Sequence, residues 1–117
     1  MEFGNQSKSY QSLLLRASLN GYKAFGFEQL TVGNTVVNLT IPTGAKYALI
    51  VVESTISTNC IRYLEFGGAN KVVNNTTIGI PVSNGSVFDI TDAQNLSGFQ
   101  AIQVGAGTHK LNIQYYK

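Results

Sequence analysis

Hydrophobic and polar residues alternate in short runs along most of the chain. The clearest run is Leu111–Tyr116, in which Leu111, Ile113 and Tyr115 alternate with Asn112, Gln114 and Tyr116. A period of two places successive side chains on opposite faces of a β-strand. No window after residue 20 keeps the apolar i, i+3, i+4, i+7 spacing of a helix for three turns. The pattern therefore predicts a chain built almost entirely from strands.

One run, Lys46–Ser54, is apolar on both of its faces: Tyr47 and Leu49 share one face, and Ala48 and Ile50 share the other. A strand of this kind is usually central in its sheet and covered on both sides. Gly, Asn, Ser and Pro separate the runs and predict turns, among them Pro42–Ala45 and Gly105–Thr108. We predict strands at Tyr22–Val32, Thr35–Ile41, Lys46–Ser54, Cys60–Phe66, Thr76–Ile80, Val87–Ile90, Phe99–Val104 and Leu111–Tyr116.

The N-terminal segment allows two interpretations. Leu13–Leu19 is followed by Asn20-Gly21, the preferred type I′ hairpin dipeptide, which favours a first strand paired with Tyr22–Val32. The alternative is a helix over Ser12–Leu19 with Asn20-Gly21 as its C-cap. We interpret residues 1–20 as an N-terminal arm or hairpin segment and residues 21–117 as the β-sandwich domain.

Strands at spacings of about 8 to 14 residues, eight or nine in number, indicate the fold class. Parallel sheets would require crossover helices, and the sequence offers none. The prediction is an all-β chain folded as an antiparallel β-sandwich, of jelly-roll type, in one domain of 117 residues.

The composition argues against several classes of function. Charged residues make up 12% of the chain and the net charge is +2, with no Lys/Arg cluster to bind nucleic acid. No segment reaches the roughly 18 apolar residues that a membrane span needs. One Cys excludes an internal disulfide framework, and one His excludes a metal site built from several histidines. We expect no cofactor, no metal, and neither nucleic acid nor membrane as a partner.

The sequence offers no convincing catalytic group. His109 could act as a base toward a Ser or Asp, but no nucleophile elbow accompanies it. The loop Gly105–Lys110 lacks the spacing of a phosphate-binding loop and precedes a strand instead of a helix. We expect His109 and this loop to be turn or strand-edge structure, and we expect no enzyme activity.

Two further groups have structural interpretations. Asp89, Asp92 and Asn95 could ligate calcium, but loops between strands use Asp and Asn to bond their own backbone, which we favour. Cys60 lies in a β run, where a free Cys behaves as a small hydrophobe. No catalytic, cofactor-binding or metal-binding residue is assigned.

Charged residues near the third and fourth predicted strands suggest an ion pair. If Thr55–Asn59 forms a simple hairpin loop, Glu53 lies opposite Arg62 and the pair helps to set the register. Glu65 would take part in the same cross-strand pairing.

Aromatic residues suggest a possible glycan contact. Trp is absent, and Tyr22, Tyr115 and Tyr116 are the aromatics expected at the surface. Sugar sites depend on exposed, stacked aromatic rings, so Tyr115 and Tyr116 are the candidate glycan contacts.

Several segments in a fixed order resemble the small virion structural proteins of tailed bacteriophages and prophages. They are Glu28–Val32, Leu39–Glu53, Ile61–Tyr63, Gly79–Val82, Val87–Ile90, Phe99–Ile102 and Ala106–Tyr116. The resemblance implies a jelly-roll-like module of the phage head or tail without catalysis. Similar proteins carry an Asp-Gly and a Pro-Thr in the region Phe66–Thr77, where this chain has Phe66-Gly67-Gly68 and Asn74-Asn75-Thr76.

We therefore expect a non-enzymatic virion structural protein, either a capsid decoration or head-fibre component or a tail-associated one. Few surface charges suit contacts that persist across salt conditions, and symmetric assembly would cover edge strands. The expected partners are further copies of the chain, with a trimer favoured, and other virion proteins; the chain would be made in the host cytoplasm. The alternative is a carbohydrate-binding β-sandwich module that contacts host glycans during adsorption.

Overall fold

The computed structural model describes residues 5–65 and 78–117, and for residues 5–9 only the backbone. This part of the chain contains two helices and seven strands, fewer strands than the eight or nine expected. The elements are α1 (Asn5–Leu19), β1 (Ala24–Thr31), β2 (Tyr47–Ser54), β3 (Asn59–Leu64), β4 (Ile80–Ser83), β5 (Val87–Thr91), α2 (Ala93–Ser97), β6 (Gln100–Gln103) and β7 (His109–Tyr116).

The strands form two antiparallel sheets that pack face to face, which confirms the predicted all-β sandwich. One sheet has the order β1-β7-β2-β5 and the other the order β4-β3-β6. The core lies between them and combines aliphatic residues of the first sheet, such as Ile50 and Ile113, with Ile61, Tyr63 and Ala101 of the second. Tyr63 stacks on Phe88 of the facing sheet with ring centroids 4.0 Å apart.

β2 is the central strand that its sequence predicted. It pairs with β7 on one side and with β5 on the other. Ala48 and Ile50 face the core between the sheets, whereas Tyr47 and Leu49 belong to a second cluster on the opposite face. The two apolar faces of the run are therefore buried against two different partners.

The predicted strand Thr35–Ile41 is only partly formed. Val37 pairs with Ala101 through both backbone bonds, 2.9 and 3.1 Å long, so this segment lies beside β6. This bridge is isolated, and beside it the Asn38 side-chain amide donates to the Phe99 carbonyl. Its predicted apolar face is nevertheless correct, since Val37, Leu39 and Ile41 pack against the core.

The hairpin predicted for the N-terminal segment is wrong, and the alternative helix is confirmed, although it begins earlier, at Asn5. Gly21 has a φ of 73° and ends the helix. Its amide donates to the Ser18 carbonyl and the Tyr22 amide to the Ala17 carbonyl, the two bonds of a Schellman C-cap. β1 consequently pairs with β7 and not with Leu13–Leu19.

Other local predictions have mixed outcomes. The turn Pro42–Ala45 is confirmed by a 3.1 Å bond from the Ala45 amide to the Pro42 carbonyl, and Gly44 has a φ of 92°. The short helix α2, which buries Leu96, was not predicted. The residues from Phe66 to Thr77, including the start of the predicted strand Thr76–Ile80, lie outside the described part of the chain.

Candidate interaction surface

Helix α1 packs on the outer face of the four-stranded sheet, over β2, β5 and the end of β7. Leu13 and Ala17, four residues apart on one side of the helix, are 9% and 2% exposed. They pack with Tyr47, Leu49 and Tyr116 into a small cluster separate from the main core. Burial of these side chains is what holds a helix of modest intrinsic propensity in place.

Aromatic packing extends this cluster at the end of the helix. The Tyr22 ring stacks on the Tyr47 ring with centroids 5.1 Å apart, and Tyr116 meets Tyr47 edge to face at 5.4 Å. Tyr22 directly follows the glycine that caps α1, so the chain turns from the helix into this stack. The helix end is thereby fixed against the sheet.

A polar connection joins α1 to the edge strand β5. The Asp89 carboxylate accepts a 2.6 Å hydrogen bond from the Arg16 guanidinium and a 2.8 Å hydrogen bond from the Tyr47 hydroxyl. Burial, and next the bond to Asp89, raise the pKa of Tyr47 well above its ordinary value. Asp89 therefore links the helix, the central strand and the edge strand through one side chain.

The opposite side of α1 is apolar and faces solvent. Leu15 is 59% exposed and Leu19 is 78% exposed, one helical turn apart. We call the set Ser12, Leu15 and Leu19 the outer face of α1; the half-exposed Tyr10 and Leu14 lie on another side of the helix, because successive residues are about 100° apart. Solvent-facing sides of helices are normally charged or polar, so this face is unusual for a surface that stays in water.

The proposed glycan contacts are not at the surface. Tyr115 is 1% exposed inside the sandwich, and Tyr116 is 9% exposed beneath α1. Neither ring can act as a stacking platform for a sugar, so this prediction is wrong. The cause is tertiary: Tyr115 faces the second sheet, and Tyr116 faces a helix that the pattern of β7 does not reveal.

The predicted ion pair between Glu53 and Arg62 is also wrong. Thr55–Asn59 crosses from one sheet to the other, so β2 and β3 do not form a hairpin. Glu53 lies opposite Lys110. Arg62 lies opposite Ile102 and donates a 2.6 Å bond to the Gly79 carbonyl.

Glu65 and Cys60 differ in exposure: Glu65 lies at the surface after β3, whereas Cys60 is enclosed. Burial, and next the Asp89 charge, raise the pKa of Glu65. Cys60 is fully buried in the main core, as its apolar surroundings predicted, and burial raises the pKa of its thiol.

His109 forms a buried hydrogen-bonded pair with Ser54. Its Nδ1 lies 2.8 Å from the Ser54 hydroxyl, and its Nε2 lies 2.7 Å from the Gly105 carbonyl oxygen. The ring is 0% exposed, and the Ser54 hydroxyl also accepts the Ile56 amide. A substrate cannot reach a base enclosed in this way, so the pair fixes the turn that follows β6.

Two of the three candidate calcium ligands, Asp89 and Asn95, are held by other partners. Asp89 bonds Arg16 and Tyr47, as described, and Asn95 donates to the Thr91 carbonyl. Asp92 precedes α2 with a φ of 81° and makes no capping bond through its side chain. Among the described residues no three His, Cys, Asp or Glu side chains come together as a metal site would require.

A second surface feature, which the sequence did not indicate, is a cleft of about 580 Å³ between β1 and the segment Thr40–Pro42. Phe27, 63% exposed, and Glu28 line it. The Glu28 carboxylate accepts the Thr40 amide at 3.0 Å. The buried Tyr115 hydroxyl approaches Glu28 without an aligned hydrogen bond, and burial, and next the Glu28 charge, raise its pKa strongly.

Within the described residues, no helix has the length and apolar character to cross a membrane. Comparison with protein-family models, with curated proteins and with solved structures yields no match to this chain.

Proposed function

We propose that the chain is a non-enzymatic structural protein of a tailed-bacteriophage virion, a capsid decoration or head-fibre component or a tail-associated one. The observation that carries the proposal is the apolar outer face of α1, with Leu15 and Leu19 exposed on a helix that is fixed to its own sandwich. Exposed leucines on a rigid element are typical of a surface that another protein covers. The ordered β segments resemble those of phage virion proteins, and this resemblance is the reason to propose a phage particle as the assembly.

The order of the sheets supports a jelly roll as the framework. If the isolated bridge from Val37 to Ala101 is counted as an element beside β6, the described chain supplies eight elements. In chain order the first sheet takes elements 1-8-3-6 and the second takes 2-7-4-5. Two Greek keys folded together give this interleaved order, and jelly rolls of this kind occur in viral capsid proteins and in lectins.

Low charge supports a role in a permanent assembly. Charged residues make up 12% of the sequence, and Asn, Ser, Thr and Gln take the polar positions. On the outer face of the first sheet such side chains bond one another, as in the 2.7 Å bond from Gln29 to Asn112. Contacts made by neutral groups are insensitive to ionic strength, which suits a particle exposed to varied media.

The test is the composition of purified particles. Particles of the phage or prophage that encodes the chain are purified on a density gradient. They are then washed with about 1 M salt, a concentration at which charge interactions are screened within ~3 Å. The washed particles are digested for mass spectrometry. We expect the chain in the particle fraction before and after the wash. Immunogold labelling then distinguishes head from tail. Recovery of the chain only in the soluble fraction would contradict the proposal.

Carbohydrate binding is the second candidate function, and the cleft beside β1 favours it. The exposed Phe27 ring and the Glu28 carboxylate both line this cleft, and a sugar is bound by stacking on a ring and by hydrogen bonds to its hydroxyls. Glycan titration followed by NMR tests it: shifts should appear at these residues, and Phe27→Ala should abolish them. Ile80→Ala, which removes an exposed side chain from β4, is the matched control. No shift across a broad glycan panel would exclude this candidate.

A further inference from the structure

The cleft beside β1 has a defined shape because its two walls are tied together. The Thr40 amide donates to both oxygens of the Glu28 carboxylate, at 3.0 and 3.1 Å. Pro42 packs over Gly26, where an added Cβ would lie only 3.2 Å from the proline ring. The buried Tyr115 ring lines the cleft from the core side. A site that is formed before its ligand arrives avoids most of the cost of ordering it.

The negative charge in this cleft has no counterpart in the described part of the chain. Among the described residues that line the cleft, Glu28 alone is charged, and the Thr40 amide is the only donor bonded to its carboxylate. The neutral Tyr115 hydroxyl lies near Glu28 but is not aligned for a hydrogen bond. An ionised carboxylate has about four lone-pair sites, so Glu28 can accept further donors. The donor that satisfies it best carries a positive charge.

The rest of the cleft indicates what carries that positive charge. Its volume of about 580 Å³ lies in the range of small-molecule sites, and Leu30, Ile41 and Pro42 give it apolar walls. The exposed Phe27 ring lines it as well. A sugar ring combines C–H faces, which contact apolar side chains, with polar groups at its edge.

Charge complementarity selects one class of sugar. A sugar with a free amine pairs its ammonium group with Glu28, whereas a neutral or acidic sugar leaves that charge without an opposite charge. A lysine side chain brings the same charge, but its flexible four-carbon stem fills much less of the cleft than a sugar ring does.

We propose that the cleft beside β1 binds an amino sugar whose amine is unsubstituted and positively charged. The ammonium group donates to the lone pairs of Glu28 that the Thr40 amide leaves free, and the sugar ring lies against the apolar walls. Binding of this kind rests on carbohydrate binding, the second candidate function above, and specifies the class of sugar.

The experiment compares three methyl glycosides that differ in one substituent: methyl glucosaminide with its free amine, the N-acetyl derivative of that compound, and methyl glucoside. Each is titrated into the full ¹⁵N-labelled chain at about pH 6, which lies between the ordinary pKa values of a carboxyl and of an amine. We expect the free amine to bind about tenfold more tightly than the other two, as a hydrogen bond between charged groups allows. The Thr40 amide resonance should shift most with the free amine, because this amide is bonded to Glu28.

Glu28→Gln removes the charge and keeps the size of the side chain. It should weaken binding of the glucosaminide about tenfold, to the level of methyl glucoside. Binding of the neutral glycosides should not change, which shows that the cleft is still folded. The matched control is Glu53→Gln, which makes the same charge change on β2, outside the cleft, and should keep the preference for the amine. A preference that survives Glu28→Gln, or that Glu53→Gln abolishes as well, would overturn the inference.

The remaining outcomes distinguish failure of the amino-sugar site from failure of carbohydrate binding as a whole. Equal binding of the three glycosides would overturn the amino-sugar site and leave carbohydrate binding standing. Binding of Nα-acetyl-lysine methylamide as tight as that of the glucosaminide would identify a protein side chain as the ligand, and would also overturn it. No binding of any glycoside would overturn both, while the proposed role in a virion, which the composition of particles tests, would still stand.

Discussion

Asp89 is expected to be the main polar residue that fixes α1 to the sandwich. The substitution Asp89→Ala removes the acceptor of the Tyr47 hydroxyl, 2.8 Å away, and of the Arg16 guanidinium, 2.6 Å away. Tyr47 is fully buried, so its hydroxyl loses its short hydrogen bond in a place that water does not reach. A hydrogen bond to a charged group of this kind contributes about 1.5–3 kcal/mol.

The contribution of Arg16 should be smaller, although its distance is shorter. Its side chain is 52% exposed, so the guanidinium returns to water when Asp89 is removed. Exposed ion pairs contribute about 0.2–1 kcal/mol and weaken in salt. We therefore expect Asp89→Ala to lower the free energy of unfolding by about 2–3 kcal/mol, most of it through Tyr47.

Urea denaturation followed by circular dichroism measures this loss. With a slope of about 1–3 kcal/mol per molar urea, a loss of 2 kcal/mol moves the midpoint by roughly 1 M. Double-mutant cycles of Asp89→Ala with Tyr47→Phe and with Arg16→Ala separate the two bonds. The Tyr47 coupling should exceed the Arg16 coupling by about 1 kcal/mol and should persist at ~1 M salt, where the Arg16 coupling disappears.

Asp92→Asn is the control, since Asp92 is an exposed acid three residues away whose side chain makes no capping bond. It should change the stability by less than about 0.5 kcal/mol. Equal couplings for Tyr47 and Arg16, or a loss for Asp89→Ala no larger than that of the control, would refute this account of how α1 is held.

Three further outcomes follow from burial. Leu13→Ala should lower the free energy of unfolding by about 2–3 kcal/mol in the same urea assay. Leu14→Ala, at a 37% exposed position on the same helix, should lower it by less than ~1 kcal/mol. Equal losses would show that α1 does not dock through Leu13. The thiol of Cys60, fully buried and with a raised pKa, should react with a disulfide reagent only as the chain unfolds, and fast labelling in native buffer would contradict this. Tyr47 and Tyr115 have raised pKa values in the folded state and ionise near pH 10 when unfolded, so stability should be lost as the pH rises above about 10. In absorbance at 295 nm, Tyr47→Phe and Tyr115→Phe should each reduce the rise that accompanies unfolding. A reduction of the rise at pH 10 in the folded chain instead would contradict the burial of these two rings.

The sandwich could be predicted from the sequence because its strands carry their own signals. Lys46–Ser54 is apolar on both faces, and the structure covers both faces of β2. Leu111–Tyr116 alternates, and Leu111 and Ile113 do face the core. Such patterns depend on which side chains must leave water, a property that each segment has regardless of its partner.

The interaction surface could not be predicted in the same way. Leu13–Leu19 has leucines on several sides of a helix, and the Asn20-Gly21 dipeptide after it favours a strand in a hairpin. Burial of Leu13 and Ala17 on the sheet selects the helix, and that partner surface is assembled from Tyr47, Leu49 and Tyr116, which are distant in sequence. Once the helix is selected, Leu15 and Leu19 necessarily face outward.

Local periodicity and the backbone preferences of single residues are enough to predict the class of the fold, the central position of β2 and the turn at Pro42–Ala45. The separation of Glu53 and Arg62 onto different sheets and the burial of Tyr115 and Tyr116 arise from packing between distant segments. Each of these outcomes depends on which distant segment covers a given face. Packing between residues distant in sequence determines which segment covers each face. The alternating pattern of a strand does not reveal this, because the pattern is the same whichever segment covers the strand.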